Sequence, residues 1–296
     1  MNAGEQGFLL LTSSLGDPDR KPLTVAQFRN LAKQMQTVER PGENRELTAE
    51  DLVAYGYNRE TANRIISLLA DQFVLDKYLS RGKKLRCTPI TRVSESYPAI
   101  VRRRLGLDAP GCLWAKGDVT LLETQKIALV GSREMEEGNK AFAAAVGYEA
   151  ARQGITLVSG NARGADRIAQ EACLENGGKV ISVVADELCK QPARENVLYL
   201  SEDGFDLPFT SMRALSRNRV IHCLGYYTFV AQCAIAEGGT WSGTSQNLQK
   251  GWSPVFCYDD GSAAAVELAQ MGATLVKPEQ LSDFSALRAD VRSLFE

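Results

Sequence analysis

Lys126-Ile127-Ala128-Leu129-Val130-Gly131-Ser132-Arg133 sets a short apolar run directly against a glycine and a polar turn. The pattern then repeats. A helical stretch through Ala141, Phe142, Ala145, Val146 and Tyr148 leads to Ile155-Thr156-Leu157-Val158, which again ends at Ser159-Gly160. A further helix through Ile168, Ala169, Ala172 and Cys173 precedes Val180-Ile181-Ser182-Val183-Val184. Thr228–Ala231, Pro254–Tyr258 and Thr274–Val276 continue the series. Near-continuous apolar strands alternating with helices require a mostly parallel sheet covered on both faces, because both faces of each strand are apolar. The expected fold is α/β: a Rossmann-like, doubly wound, mostly parallel sheet over residues 126–296.

Outward from this core, residues 1–85 read as a small helical module. Thr24–Gln27 and Thr48–Asp51 have capping-box spacing, and Phe28, Leu31, Ala32 and Met35 continue the first at helical period. A third helix is expected through Ala62, Ile65, Ile66, Leu69 and Phe73, and Pro41-Gly42-Glu43-Asn44 is a turn cluster. Residues 86–125, with Pro89, Tyr97-Pro98, Arg102-Arg103-Arg104 and Pro110-Gly111, lack a clear period and read as an irregular connector laid on the sheet. The triple arginine reads as a solvated helix face.

The composition narrows the chemistry. The chain has 296 residues, 44% hydrophobic and 24% charged, with net charge -2 and a single histidine, His222. His-based metal clusters and two-His mechanisms are excluded, and a globally basic nucleic-acid binder is excluded while a local basic patch is not. The seven cysteines contain no C-x-x-C pair, which argues for reduced thiols in a cytoplasmic protein and against zinc. No run reaches the ~18 apolar residues of a membrane span, and no basic n-region precedes Leu9–Leu11. No cofactor, metal or membrane is expected.

In an open parallel sheet, ligands bind beyond the carboxyl ends of the strands. There the sequence places three glycine- and hydroxyl-rich loops: Gly131-Ser132-Arg133; Ser159-Gly160-Asn161-Ala162-Arg163-Gly164-Ala165-Asp166; and Glu237-Gly238-Gly239-Thr240-Trp241-Ser242-Gly243-Thr244. Any one serves a tight βα turn, but three on one rim, two with arginines, suit phosphate held by backbone N–H groups and guanidinium. No G-x-x-x-x-G-K-[ST] or G-x-G-x-x-G sequence is present. Arg213 and Arg217 share a helix face, followed by Asn218 and Arg219, in a stretch from Leu207 to Ala236 that lacks any acid. Asp166 reads as a cap or loop organiser, and His222 as a core histidine. Trp241, Trp252 and Tyr226-Tyr227 read equally as core or as base-stacking groups.

GSR at 131–133, SGNARGAD at 159–166, LSRNRVIHCLG at 215–225 and WSGT at 241–244, with Tyr97-Pro98 and LWAKGD at 113–118 upstream, resemble the DprA/Smf family of DNA-processing proteins in the SLOG superfamily. The helical start resembles that family's SAM-like N-terminal module. The resemblance implies single-stranded DNA binding without catalysis, a homodimer, and delivery of DNA to a RecA-type recombinase in uptake, transformation and recombination. It implies that Ser132, Arg133 and the 159–166 loop hold phosphate. Arg217 and Arg219 would extend the basic track, and Gly243 with Thr244 would close the pocket. The chain departs from the family pattern at Gln232-Cys233, where a glutamate-alanine pair is usual, at the inserted-looking Glu237–Thr240, and at Gly261-Ser262, and it is expected to lack the family's C-terminal winged helix. The rival reading is a nucleotide-ligand sensor of the same superfamily, as in anti-phage defence. Nucleotide hydrolysis is disfavoured, because no acidic residue lies between Thr240 and Gly251.

Overall fold

The computed structural model describes residues 1–37 and 46–288, so the Pro41–Asn44 turn cluster lies outside the described residues. The helical start holds α1 (Ala3–Thr12), α2 (Val25–Thr37), α3 (Ala49–Ala54), α4 (Arg59–Ala70) and α5 (Gln72–Lys84). Both expected capping boxes form: Thr24 Oγ1 accepts from Gln27 N–H while Gln27 Oε1 accepts from Thr24 N–H, and Thr48 does the same with Asp51. The expected third helix is two. Asp71 separates α4 from α5, so Phe73 belongs to α5 and points to solvent at 80% exposure instead of continuing the apolar stripe of α4.

One nine-stranded sheet follows: β1 (Thr88–Thr91), β2 (Cys112–Gly117), β3 (Lys126–Val130), β4 (Thr156–Ser159), β5 (Val180–Val183), β6 (Val197–Glu202), β7 (Thr228–Val230), β8 (Val255–Tyr258) and β9 (Thr274–Val276). Their order is β1-β2-β6-β5-β4-β3-β7-β8-β9. From β6 to β9 every neighbour is parallel, while β1 and β2 add an antiparallel edge. Chain order reverses about β3, which is the doubly wound pattern with its switch between β3 and β7. The stretch 86–125 therefore supplies two strands and α6 (Ala99–Leu105). β1 is a four-residue edge strand, where Pro89 is tolerated, and β2 ends in the polar Lys116-Gly117, so neither shows the apolar run that marks the parallel strands. Arg102 and Arg103 are exposed, as a solvated face requires, although Arg102 also bonds the carbonyls of Arg92 and Ser94, while half-buried Arg104 is held on the carbonyls of Cys223 and Gly225.

Alternate strand residues face opposite layers. Ile127, Leu129, Leu157, Val180, Phe229 and Phe256 pack under α7 (Glu137–Arg152) and α8 (Ala165–Glu175). Ala128, Val130, Val158, Ile181 and Val230 pack under α6, α9 (Ser211–Leu224) and α11 (Ala263–Gln270), with α10 (Gly238–Lys250) beside them. Leu9 and Leu10 of α1 and Leu75 and Tyr78 of α5 enter the first of these cores, where Tyr78, Trp114 and Phe205 form an aromatic cluster with centroids 4.7–5.4 Å apart. The remaining N-terminal helices close a small core of their own around Leu52, Ile65 and Leu68. The boundary read at residue 85 thus crosses continuous packing.

Candidate functional site

Gly131 ends β3 and Gly160 ends β4, and the two loops lock together. Gly164 takes φ +90°, and a Cβ there would overlap the carbonyls of Ser132 and Arg133; one at Gly131 would overlap Ala165. Ala165 N–H donates to Ser132 O at 3.2 Å. The β3 loop is fixed equally on its other side: Ser132 N–H and Oγ–H both donate to Gln232 O, at 2.9 and 3.2 Å, and Thr240 Oγ1–H donates to Gly131 O at 2.9 Å. These bonds tie the β3 and β7 loops together at the switch point.

The open cleft lies instead one strand away, above β4 and β5. It encloses about 300 Å³ and is lined by Arg133, Asn161, Ala162, Arg163, Ala185, Asp186, Phe209, Ala214 and Arg217. Arg217 forms its floor. A Cβ at Gly160 would overlap the Arg217 guanidinium and the Asp166 carboxylate, so only glycine lets the arginine settle there. The Nε of Arg217 is buried without a hydrogen-bond partner, and its nearest acid, Asp166 Oδ2, stands 3.8 Å from Nη2. Burial pulls the Arg217 guanidinium below its usual range and pushes the Asp166 carboxyl above its own, with each partially offsetting the other. Asp166 also accepts Ala162 N–H at 3.2 Å, which makes it the loop organiser. Asn161 Nδ2 donates to Gln191 Oε1 at 3.0 Å and Gln191 Nε2 to Asp186 Oδ2 at 3.1 Å, fixing one wall. Arg133 is exposed and pairs with no acid among the described residues, while Arg163 meets Glu134 at 3.3 Å on the surface.

Other residues read as a basic track are spent on the fold. Arg213 donates to the carbonyls of Ala185, Leu207 and Pro208 and to Ser201 Oγ, at 2.6–3.0 Å. Arg219 pairs with buried Glu202 at 2.9 Å and bonds Asp108 O. Asn218 Nδ2 donates to Gly239 O at 2.9 Å. The third expected loop is the first turns of α10: Gly243 and Thr244 are buried, Ser242 is exposed, and neither Gly239 nor Thr240 lines the cleft. Glycine content suggests a loop, but Gly243 is selected by close packing, its Cβ position lying 3.1 Å from His222 Nε2. His222 is a core residue, its Nδ1 3.2 Å from both Thr228 Oγ1 and Asn247 Nδ2. Trp241 and Trp252 pack against the core. Two lining groups carry no motif. Asp186 follows β5 directly, so the rule that strand ends bear the site points to it; Phe209, 53% exposed, has no sequence signal. Among the described residues no group of three or more His, Cys, Asp or Glu could hold a metal.

Three arginines and one aspartate line a cleft at the carboxyl edge of a Rossmann-like sheet, the edge where open α/β sheets place their ligands. Residues 88–286, which begin at β1 and include every strand, match the family described as DNA recombination-mediator protein A, and the chain belongs to that family of DNA-processing proteins. It is 28% identical over 218 residues to the DNA processing protein DprA of Bacillus subtilis, covering 69% of this chain and 71% of that one. It is 32% identical over 142 residues to the DprA of Streptococcus pneumoniae, covering 44% of this chain and 50% of that one. The crystal structure of the S. pneumoniae protein shares the fold at a TM-score of 0.69 and 24% identity, over 95% of this chain and 97% of that one. The DNA processing protein A of Helicobacter pylori, whose structure was described for its single-stranded DNA binding mode, aligns at a TM-score of 0.54 and 25% identity, over 64% of this chain and 90% of that one. Among the described residues, no helix is long and apolar enough to cross a membrane.

Proposed function

We propose that the cleft holds the phosphate backbone of single-stranded DNA, and that the protein binds and hands on the strand without catalysis. The carrying observation is Arg217, a largely buried guanidinium that lines the cleft together with Arg133 and Arg163. Asp166 offsets that charge only from 3.8 Å, so a phosphate oxygen in the cleft gains a charge-assisted partner. The H. pylori relative's described binding of single-stranded DNA supports the choice of ligand. Kinship with recombination mediators supports delivery to a RecA-type recombinase.

One observation favours a second reading, a sensor of a free nucleotide: the cleft's volume of about 300 Å³ is that of a small-ligand pocket. Fluorescence anisotropy with a labelled oligothymidylate, in wild type and Arg133→Ala, separates the two. Strand binding several-fold weaker in the variant, and barely displaced by mononucleotides, supports the proposal. Equal affinities in both proteins overturn it.

A further inference from the structure

The exposed face of α5 carries a charge that the cleft does not use. From Gln72 to Arg86 the chain has five basic residues, Lys77, Arg81, Lys83, Lys84 and Arg86, against one acid, Asp76, in a protein whose net charge is -2. At 3.6 residues per turn, Phe73, Lys77, Ser80 and Lys84 fall on one stripe with Arg81 at its flank. The opposite face, Leu75, Tyr78 and Gly82, is buried, which fixes the stripe outward. Gly82 seats the helix, since a Cβ there would lie 3.0 Å from the Trp114 ring and 3.1 Å from Cys87 O. Lys77, Lys83, Lys84 and Arg86 are exposed and form no ion pair among the described residues. Phe73, at 80% exposure, heads the stripe.

This stripe is joined to the cleft. Arg81 pairs with Asp206 and lies over the rings of Tyr78 and Phe205, 5.3 and 5.1 Å from their centroids. Tyr78 Oη–H donates to the same Asp206 at 2.8 Å. Phe209 lines the cleft only three residues beyond Asp206, a span of at most ~10 Å. Arg81 offsets Asp206 at that junction.

We infer that a nucleic-acid strand leaving the cleft continues along α5, its phosphates on Lys77 and Lys84 and a base stacked on Phe73. Cations at helical spacing beside an exposed aromatic ring suit a single strand, whose backbone tracks charge while its unpaired bases supply flat faces. This inference rests on the cleft reading above, and strand length tells the two apart.

The test measures anisotropy with oligothymidylates of about 5 and about 16 nucleotides, within the usual range of single-strand site sizes. The variants are Lys77→Ala/Lys84→Ala and Phe73→Ala, all at exposed positions that leave the core intact. The double variant is expected to weaken the long strand about 10-fold at low salt and to reduce its log-salt slope by ~1.4, or ~0.7 for each lost phosphate contact, while leaving the short strand unchanged. Phe73→Ala is expected to weaken the long oligothymidylate about 5-fold or more and an abasic strand of equal length not at all. Long-strand affinity and slope unchanged in the double variant overturn the α5 track. Short-strand binding indifferent to Arg133→Ala overturns the cleft reading instead, and leaves the α5 comparison standing on its own data.

Discussion

Arg217 and Arg133 both read in the sequence as phosphate ligands, yet they answer to different physics. Arg133 is exposed, so Arg133→Ala is expected to change stability by no more than ~0.5 kcal/mol while weakening strand binding. Arg217 is buried against Asp166, so Arg217→Ala strands a buried carboxylate and is expected to cost ~3–5 kcal/mol, read as a lower denaturant midpoint. His222 carries a pH prediction of its own. Burial lowers its pKa to about 3, whereas the unfolded chain titrates it near ~6.5. The unfolded state then binds the extra proton, and stability is lost as pH falls below ~6.5, at up to ~1.4 kcal/mol per unit. Asp166 acts with the opposite sign: its raised pKa favours the fold at low pH and that benefit is lost as pH rises. The difference between wild type and His222→Gln therefore isolates the histidine, the only one in the chain, and should vanish above pH ~7 apart from a constant offset. An unchanged pH slope in the variant would contradict the buried neutral imidazole. Spacing along α9 shows that Arg213 and Arg217 share a face, but not what lies opposite. That partner set, the carbonyls of Ala185, Glu202, Leu207 and Pro208, makes Arg213 a structural brace although its spacing reads as a phosphate ligand's.

At the scale of elements, the locked pair of loops positions the cleft. Gly164→Ala meets both a positive φ and two backbone carbonyls, and is expected to cost ~1–3 kcal/mol and to weaken strand binding as the Arg133 loop shifts. A thermal melt and an anisotropy titration of the same variant check both effects, and a wild-type melt with wild-type affinity would contradict the locking. The parallel core was legible because most of its strands are compact apolar runs, two of which, β3 and β4, run into glycine. β6 was not: Val197-Leu198-Tyr199-Leu200-Ser201-Glu202 ends in polar residues that tertiary contacts bury, with Arg219 and Arg213 answering Glu202 and Ser201. α10 was misread as a loop because its glycines serve helix packing, which composition alone does not distinguish from turn chemistry. The site followed the same division: glycine-arginine loops were readable, whereas the displacement of the cleft from the β3/β7 switch to β4/β5 depends on Thr240 and Gln232 bonding across the gap.

For the whole molecule, the sheet, its two helical layers and α5 behave as one packed body. Leu75 on α5 is fully buried in the core that holds Trp114 and Phe142, so Leu75→Ala is expected to cost ~2–5 kcal/mol in a single cooperative transition. A separate early transition for the N-terminal helices, leaving the main melt untouched, would contradict that continuity. Charge is distributed over the molecule in the same spirit: a net charge of -2 overall, with cations gathered at the cleft and along α5. Such a protein should attract a polyanion at those places alone and be strongly sensitive to ionic strength. The most direct measurement is the affinity of wild-type protein for a labelled single-stranded oligonucleotide across a salt series. Binding whose logarithm falls linearly with log salt, at ~0.7 for each phosphate held, and which mononucleotides barely disturb, is the expected result. No strand binding at low salt, with a mononucleotide instead raising the melting temperature, would contradict it.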